Sequence, residues 1–210
     1  DPLTPLDETL DALNDCVRTG KVRYIGLCNL PAWEIAKALS ISDNRNLSRF
    51  VSAQVYYSLV GRDLEREIVP LAIDQGLAIL PWSPLAGGAL TGKYASDGSG
   101  PEGARRTLFD FPPVDGERLG RVLDAMRPIA EDRGVSLARI ALAWLLHRPA
   151  VTSVIIGAKT EAQLLDNLGA ADLKLGPDEL AALDAASKLP SEYPGWMLEL
   201  RPSQRSKLVE

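Results

Sequence analysis

The sequence predicts an α/β protein built on a parallel sheet, and two observations lead there. Short apolar or β-branched runs, at residues 22–27, 50–55, 77–81 and 152–156, have strand character. Amphipathic helical stretches lie between them, as the crossovers of a parallel sheet require. Such an order suits a doubly wound sheet or a (β/α)8 barrel. A strand running directly into Gly-x-Gly-x-x-Gly would favour the first, and none of the four predicted strands does so, so that reading loses its main support.

Taken in order, residues 5–18 read as a helix. Thr4 offers an N-cap hydroxyl, Pro5 the first helical position, and Leu10, Leu13, Cys16 and Val17 recur at helical spacing before Gly20 closes it. After the strand at 22–27, residues 32–39 look helical. The strand at 50–55 leads into an apolar helical face at Leu64, Ile68, Leu71 and Ala72, which Pro70 is expected to kink. Beyond the strand at 77–81, residues 86–115 are rich in Gly, Ser and Pro and carry no periodicity, so they are expected to form a long functional loop or lid. Two helices follow, one with Leu119, Val122, Leu123 and Met126 on a face, the other opened by Ser136 with Leu137, Ile140, Ala141 and Trp144. After the strand at 152–156, residues 160–168 and 177–186 read as closing helices, and the tail from Leu189 as irregular.

Composition bounds the function. The 210 residues, 46% hydrophobic and 24% charged, suit one domain spanning 1–210. A net charge of −5 leaves no cationic surplus for nucleic acid or an anionic membrane. Cys16 and Cys28 form neither a disulfide framework nor a metal-spaced cluster, which suits a reducing cytosol. No apolar run reaches the roughly 20 residues a membrane span needs, and residues 1–4 do not resemble a leader. A soluble, unprocessed, cytoplasmic protein is expected.

In a barrel, the residues just past the carboxyl ends of the strands line the active site. Here these are Cys28 and Asn29, Gln54, Trp82 and Ser83, and Gly157 to Lys159. Asn29 and Gln54 offer amides suited to holding a carboxamide, Trp82 a flat face, and Ser83 with the backbone around Leu85 to Gly88 a cradle for a diphosphate. Lys93 and Lys159 add positive charge, and Gly157 permits close backbone approach. Taken singly, each has a structural alternative. Trp82 suits a core, Thr160 and Gln163 a capping box, the lysines a solvated surface, and Cys28 a small buried hydrophobe. His147 lies near a helix end and reads as structural. Gly87 to Lys93 spells most of a P-loop, but Tyr94 stands where Ser or Thr should bind magnesium.

Five segments, in order, carry a resemblance: Tyr24-Ile25-Gly26-Leu27-Cys28-Asn29; Gln54 with Tyr56-Tyr57-Ser58-Leu59; Pro81-Trp82-Ser83-Pro84-Leu85-Ala86-Gly87-Gly88; Leu90-Thr91-Gly92-Lys93-Tyr94; and Ile156-Gly157-Ala158-Lys159-Thr160-Glu161-Ala162-Gln163 with Asn167. Over nearly the whole chain the sequence resembles the aldo-keto reductases, in particular the bacterial branch similar to voltage-gated potassium channel β subunits. The resemblance implies the C-terminal half of a (β/α)8 TIM barrel, about four βα units plus closing helices. It further implies NADPH (NADP) as cofactor and reduction of a small-molecule carbonyl, aldehyde or ketone, to an alcohol. Asn29 and Gln54, helped by Cys28, would hold the nicotinamide carboxamide, and Trp82 would stack on the ring. Ser83, Leu85 and Lys93 would meet the pyrophosphate, and Gly157, Lys159 and Gln163 the adenosine 2′-phosphate. Asp166 and Asn167 would meet the adenine, and Arg105 would be a lid contact. The family often has Ser at the position of Cys28 and Arg at that of Lys159, which makes the phosphate contact less planar.

The resemblance also implies what to expect of the catalytic residues. Asp1-Pro2-Leu3-Thr4-Pro5 resembles the segment that follows the family's catalytic histidine, and none of the Asp, Tyr, Lys and His set stands in a matching motif here. The expectation is therefore a partial barrel that lacks its own catalytic residues, does not reduce carbonyls by itself, and self-associates through open sheet edges and an apolar interior face. The alternative is a non-catalytic NADPH-binding or channel-β-like regulatory module.

Overall fold

A computed structural model describes residues 3–94, 99–102 and 105–198, with the Arg105 side chain outside the described set. Asp1 and Pro2 of the opening segment also lie outside it. Helix α1 (Leu6–Arg18) leads to β1 (Ile25–Cys28), α2 (Ala32–Arg45) to β2 (Phe50–Tyr56), and α3 (Ile68–Gln75) to β3 (Ala78–Trp82). The strands are parallel in the order β1-β2-β3, each adding beside the last with no reversal of direction. Helices α4 (Arg105–Leu108), α5 (Gly116–Arg133), α6 (Leu137–Leu146), α7 (Glu161–Leu168) and α8 (Pro177–Ser187) follow. No helix among the described residues is long and apolar enough to cross a membrane.

The sheet is covered on one face only. Ile25, Leu27, Ala53, Val55 and Ile79 are buried, and with Ile35, Leu39, Ile140 and Trp144 they make a single core. The alternate residues Gly26, Cys28 and Gln54 are exposed, as the period-two geometry of a strand dictates. The open face carries Gly26, Cys28, Ser52, Gln54, Tyr56, Ala78, Leu80 and Trp82, so it is small and polar at Cys28, Ser52 and Gln54 and apolar or aromatic along β3.

Several boundaries differ from expectation. α1 starts at Leu6 with Pro5 rather than Thr4 in the cap position. β1 begins only at Ile25, because the Val22 N–H is tied back to the Cys16 carbonyl at the end of α1. α2 runs on to Arg45 and stops where Asn46 turns left-handed. Pro70 does not kink a helix. The 64–73 stretch divides into a 3-10 turn, Asp63–Glu65, and α3, whose start at Ile68 puts Pro70 in the first turn, where no backbone donor is needed. The unpatterned region 86–115 is not structureless, since it contains 3-10 turns at Ala86–Thr91 and the short helix α4.

The expected fourth strand at 152–156 does not form a strand. Val151 makes one isolated parallel bridge to Ile79. Ile79 N–H donates to Ala150 (2.8 Å), and Thr152 N–H returns to Ile79 (3.1 Å), as in a regular ladder. The next donor on β3 is Pro81, which has no N–H, and the pairing slips so that Ile155 rather than its predecessor reaches the Pro81 carbonyl at 2.9 Å. One proline at a ladder position thus limits the segment to a loosely attached edge.

Opposite the open face, α8 is fastened by a partly buried polar network. The Asp184 carboxylate accepts from Trp144 Nε1 (3.0 Å), Arg148 Nη1 (3.0 Å to each oxygen) and Arg62 Nη1 (3.1 Å). Arg62 also grips Glu65 through two 2.8 Å bonds, and Tyr57 donates to the same carboxylate at 2.5 Å. Both guanidinium groups lie over the Trp144 ring, at 5.0 and 4.6 Å. Asp184→Ala is expected to cost about 2–3 kcal/mol, because it strips the largely buried Arg148 of its carboxylate partner while Arg62 keeps Glu65, and Asp184→Ala combined with Arg148→Met should recover part of the loss. Urea unfolding of the two variants checks this; equal stability of wild type and Asp184→Ala would contradict it.

A second prediction concerns acid. The Arg133 guanidinium, through two 2.8 Å bonds, and the Gly176 N–H hold the Glu179 carboxyl below its usual range. A lowered folded value means that its stabilisation is present above the ordinary carboxylate range and is lost as pH falls through the lowered value. The melting-temperature gap between wild type and Glu179→Gln is therefore expected to be widest near neutrality, small because the pair is solvent-screened, and to close in acid. A gap that persists in acid would contradict it.

Candidate functional site

The carboxyl ends of the three strands open onto one rim. Cys28, Gln54 and Leu80 stand in register across the sheet, and one step further Tyr56 is paired with Trp82. Asn29 takes a left-handed backbone (φ 53°) directly after β1. That turn brings its side chain across β2, where Oδ1 accepts from Trp82 Nε1 at 2.9 Å. Its own N–H donates to the Gln54 carbonyl at 3.3 Å, and the Cys28 thiol contacts Gln54 Oε1 at 3.9 Å. Four of the residues singled out in the sequence, Cys28, Asn29, Gln54 and Trp82, are thus one connected group on the open face.

β3 runs into a backbone with unusual dihedrals. Ser83, Ala86, Gly87, Gly88 and Gly92 all have positive φ, a clustering that costs free energy at the two non-glycine positions. Ser83 Oγ accepts from the Gly87 N–H (3.1 Å), and the Leu85 carbonyl accepts from Gly88 (2.9 Å) and Leu90 (3.3 Å). Lys93 folds back over this turn, so close that a Cβ on Gly88 would lie 3.2 Å from its Cε and 3.3 Å from Nζ. The φ of Gly88 is one that glycine adopts without cost. A P-loop would feed an α-helix here, whereas these residues form 3-10 turns.

The third group lies past the edge segment. The Gln163 side-chain oxygen accepts from the Lys159 N–H (2.8 Å) while Thr160 Oγ1 accepts from the Gln163 N–H (3.3 Å), so Gln163 and Thr160 cap α7. Buried Asn167 donates to the Gly157 carbonyl at 3.5 Å and so holds the loop that presents exposed Lys159. Asp166 is engaged within the fold, paired with Arg139 at 2.9 Å and accepting from the Ser136 hydroxyl. Through Ser136 and Leu137, the latter pressed against Gly92, α6 joins this loop to the turn after β3. Of the remaining sequence candidate, Arg105, only the backbone is described, as the first residue of α4.

Two residues that the sequence did not point to dominate the Trp82 side of the rim. The Phe111 ring stacks on Trp82, with centroids 5.7 Å apart and planes 9° from parallel. Arg106, largely buried, donates through Nη1 to the carbonyls of Ala86 (3.1 Å) and Pro112 (2.8 Å) and through Nη2 to Asp110, and its N–H donates to Tyr94 Oη (3.1 Å). The only signal in the sequence was the aromatic pair Phe109 and Phe111 beside Pro112, in a stretch without periodicity. Tyr56 packs against Trp82 at 5.1 Å, and burial pushes its phenol above the ordinary value. Tyr57 is pushed up as well, by burial and by its bond to Glu65. Neither is activated as an acid.

Comparison with known proteins places this geometry. The aldo/keto reductase family model matches residues 1–188. Protein tas of Escherichia coli K12 is 38% identical over 189 residues, covering 90% of this chain and 54% of that protein. Versiconal hemiacetal acetate reductase of Aspergillus parasiticus is 32% identical over 193 residues, covering 91% and 56%. A probable voltage-gated potassium channel subunit beta of Oryza sativa is 37% identical over 178 residues, covering 82% and 54%. Among solved structures, the thermostable aldo-keto reductase Tm1743, in complex with the inhibitor epalrestat, superposes with a TM-score of 0.67 at 29% identity, over 89% of this chain and 56% of that one. The chain thus spans about half the length of the curated relatives it matches, and it belongs to the aldo/keto reductase family.

Proposed function

We propose that this chain supplies the dinucleotide-holding part of an NADPH-dependent reductase of small aldehydes or ketones, folded as part of a (β/α)8 barrel. The observation that carries the reading is the Trp82–Asn29 hydrogen bond, which joins the ends of β1 and β3 into one amide-and-aromatic platform beside Gln54. Sequential parallel strands with helices on one face support the barrel, since a doubly wound sheet is covered on both.

The donor set fits a nicotinamide dinucleotide. With Oδ1 committed to Trp82, Asn29 keeps its amide hydrogens for a carboxamide oxygen, and Gln54 adds a second amide on the same face. Lys93, lying over Gly88 beside a left-handed backbone, suits a pyrophosphate, and exposed Lys159 next to Gly157 suits a 2′-phosphate. Asn167 acts by fixing the Gly157 carbonyl, and Gln163 by capping α7. Asp166 has a structural bond set and is left with a lesser share in adenine recognition. When bound, the cofactor supplies a hydride to the carbonyl carbon. This chain's residues orient the ring that gives it up. No residue of this chain is assigned proton delivery to the substrate oxygen, since burial raises the pKa of both Tyr56 and Tyr57 and makes them weaker acids.

Calorimetric titration tests the reading. NADPH is expected to bind the chain, Asn29→Gly, which keeps the left-handed backbone, to weaken it on the order of tenfold, and Lys159→Ala to weaken NADPH more than NADH. No binding, or equal loss for both dinucleotides in Lys159→Ala, would overturn the reading or its NADPH preference respectively. The chain by itself is expected to show no turnover of a test aldehyde and to self-associate in light scattering through its open sheet edges. Turnover above background, or a monodisperse monomer, would contradict these two expectations in turn.

A further inference from the structure

We propose that the segment 105–112 is a self-occluding strap, in which Phe111 occupies the Trp82 face that a nicotinamide ring would stack on, so that a dinucleotide binds only by displacing it. The proposal rests on the dinucleotide reading above. Phe111 lies nearly parallel to Trp82, at 9° and 5.7 Å, the offset-stacked arrangement that aromatic pairs prefer, and Phe109 backs it at 5.6 Å. A third ring of the same shape can be admitted only if one of Trp82's two neighbours leaves.

Tyr56 is not the one. It is built into β2, and its hydroxyl accepts from Ser58 at 3.1 Å, with Gly61 pressed so close that a Cβ there would meet the Tyr56 ring at 2.2 Å. Phe111 sits outside any helix or strand and is 40% exposed. What holds it is the anchor beside it. Arg106 bonds the Ala86 and Pro112 carbonyls and Asp110, and the Phe111 carbonyl lies where a Cβ on Gly87 would come within 2.8 Å. The anchor grips the backbone at both ends of the strap, while the Phe111 ring itself is held by stacking. Rotation of that one side chain uncovers Trp82 and leaves the anchor intact.

Occlusion lowers apparent affinity by the fraction of molecules in which the face is clear. Phe111→Ala and Phe111→Leu are therefore expected to lower the Kd for NADPH on the order of tenfold, as loss of one aromatic stack implies. Adenosine 2′,5′-bisphosphate, which has no nicotinamide, is expected to bind wild type and both variants equally. Calorimetry with the two ligands, on proteins matched by thermal melting, reads this directly. An NADPH Kd unchanged or raised in both variants overturns the strap while leaving the dinucleotide reading standing, and an equal gain for both ligands overturns competition at Trp82. Failure of all three proteins to bind either ligand overturns the dinucleotide reading and the strap with it.

Discussion

Asp184 is the point at which the fold is tied together. Its carboxylate receives Trp144 from α6, Arg148 from the turn after it, and Arg62 from the connection out of β2. Charged groups this far from solvent are costly unless their partners are supplied, and here nearly all are. The exception is Arg148 Nε, which is buried with no hydrogen-bond partner among the described residues, although its guanidinium gains the face of Trp144. Because Arg62 also holds Glu65, and Glu65 holds Tyr57, the network fixes the start of the β2–α3 connection. That connection begins directly after Tyr56, the residue against which Trp82 packs.

The rim depends on this frame but draws its chemistry from local backbone geometry. A left-handed turn at Asn29 sends one side chain across a strand to another, and a run of positive φ after Trp82 folds Lys93 back over Gly88. These conformations are strained for Asn29, Ser83 and Ala86, and such strain persists only where the surroundings over-determine it. Here the surroundings are the sheet on one side and the Arg106 anchor on the other.

Much of the site was legible one residue at a time. Cys28, Asn29, Gln54 and Trp82 were marked by their position at strand ends, and the structure brings them into contact. Gln163 was legible in two ways, and its capping of α7 is the one observed. Asp166 was read through the resemblance as an adenine contact, and its ties to Ser136 and Arg139 were not legible, because these partners are some thirty residues earlier and nothing local announces them. Phe111 and Arg106 were invisible for the same reason, lying in a stretch whose lack of period says only that it is not a regular element.

The sequence by itself determined the alternation of helices with the first three strands, the helical faces that make the core, and the strand-end residues Cys28, Asn29, Gln54 and Trp82. Periodicity and strand-end position are local properties, and local sequence specifies them. Tertiary structure alone decided that the 152–156 segment stays a loose edge, because Pro81 lacks the donor its neighbour needs. It alone decided that Pro70 falls harmlessly in a first turn, and that two arginines and a carboxylate from distant segments meet over one tryptophan. Each of these turns on which groups are brought opposite one another, a relation that no single stretch of sequence contains.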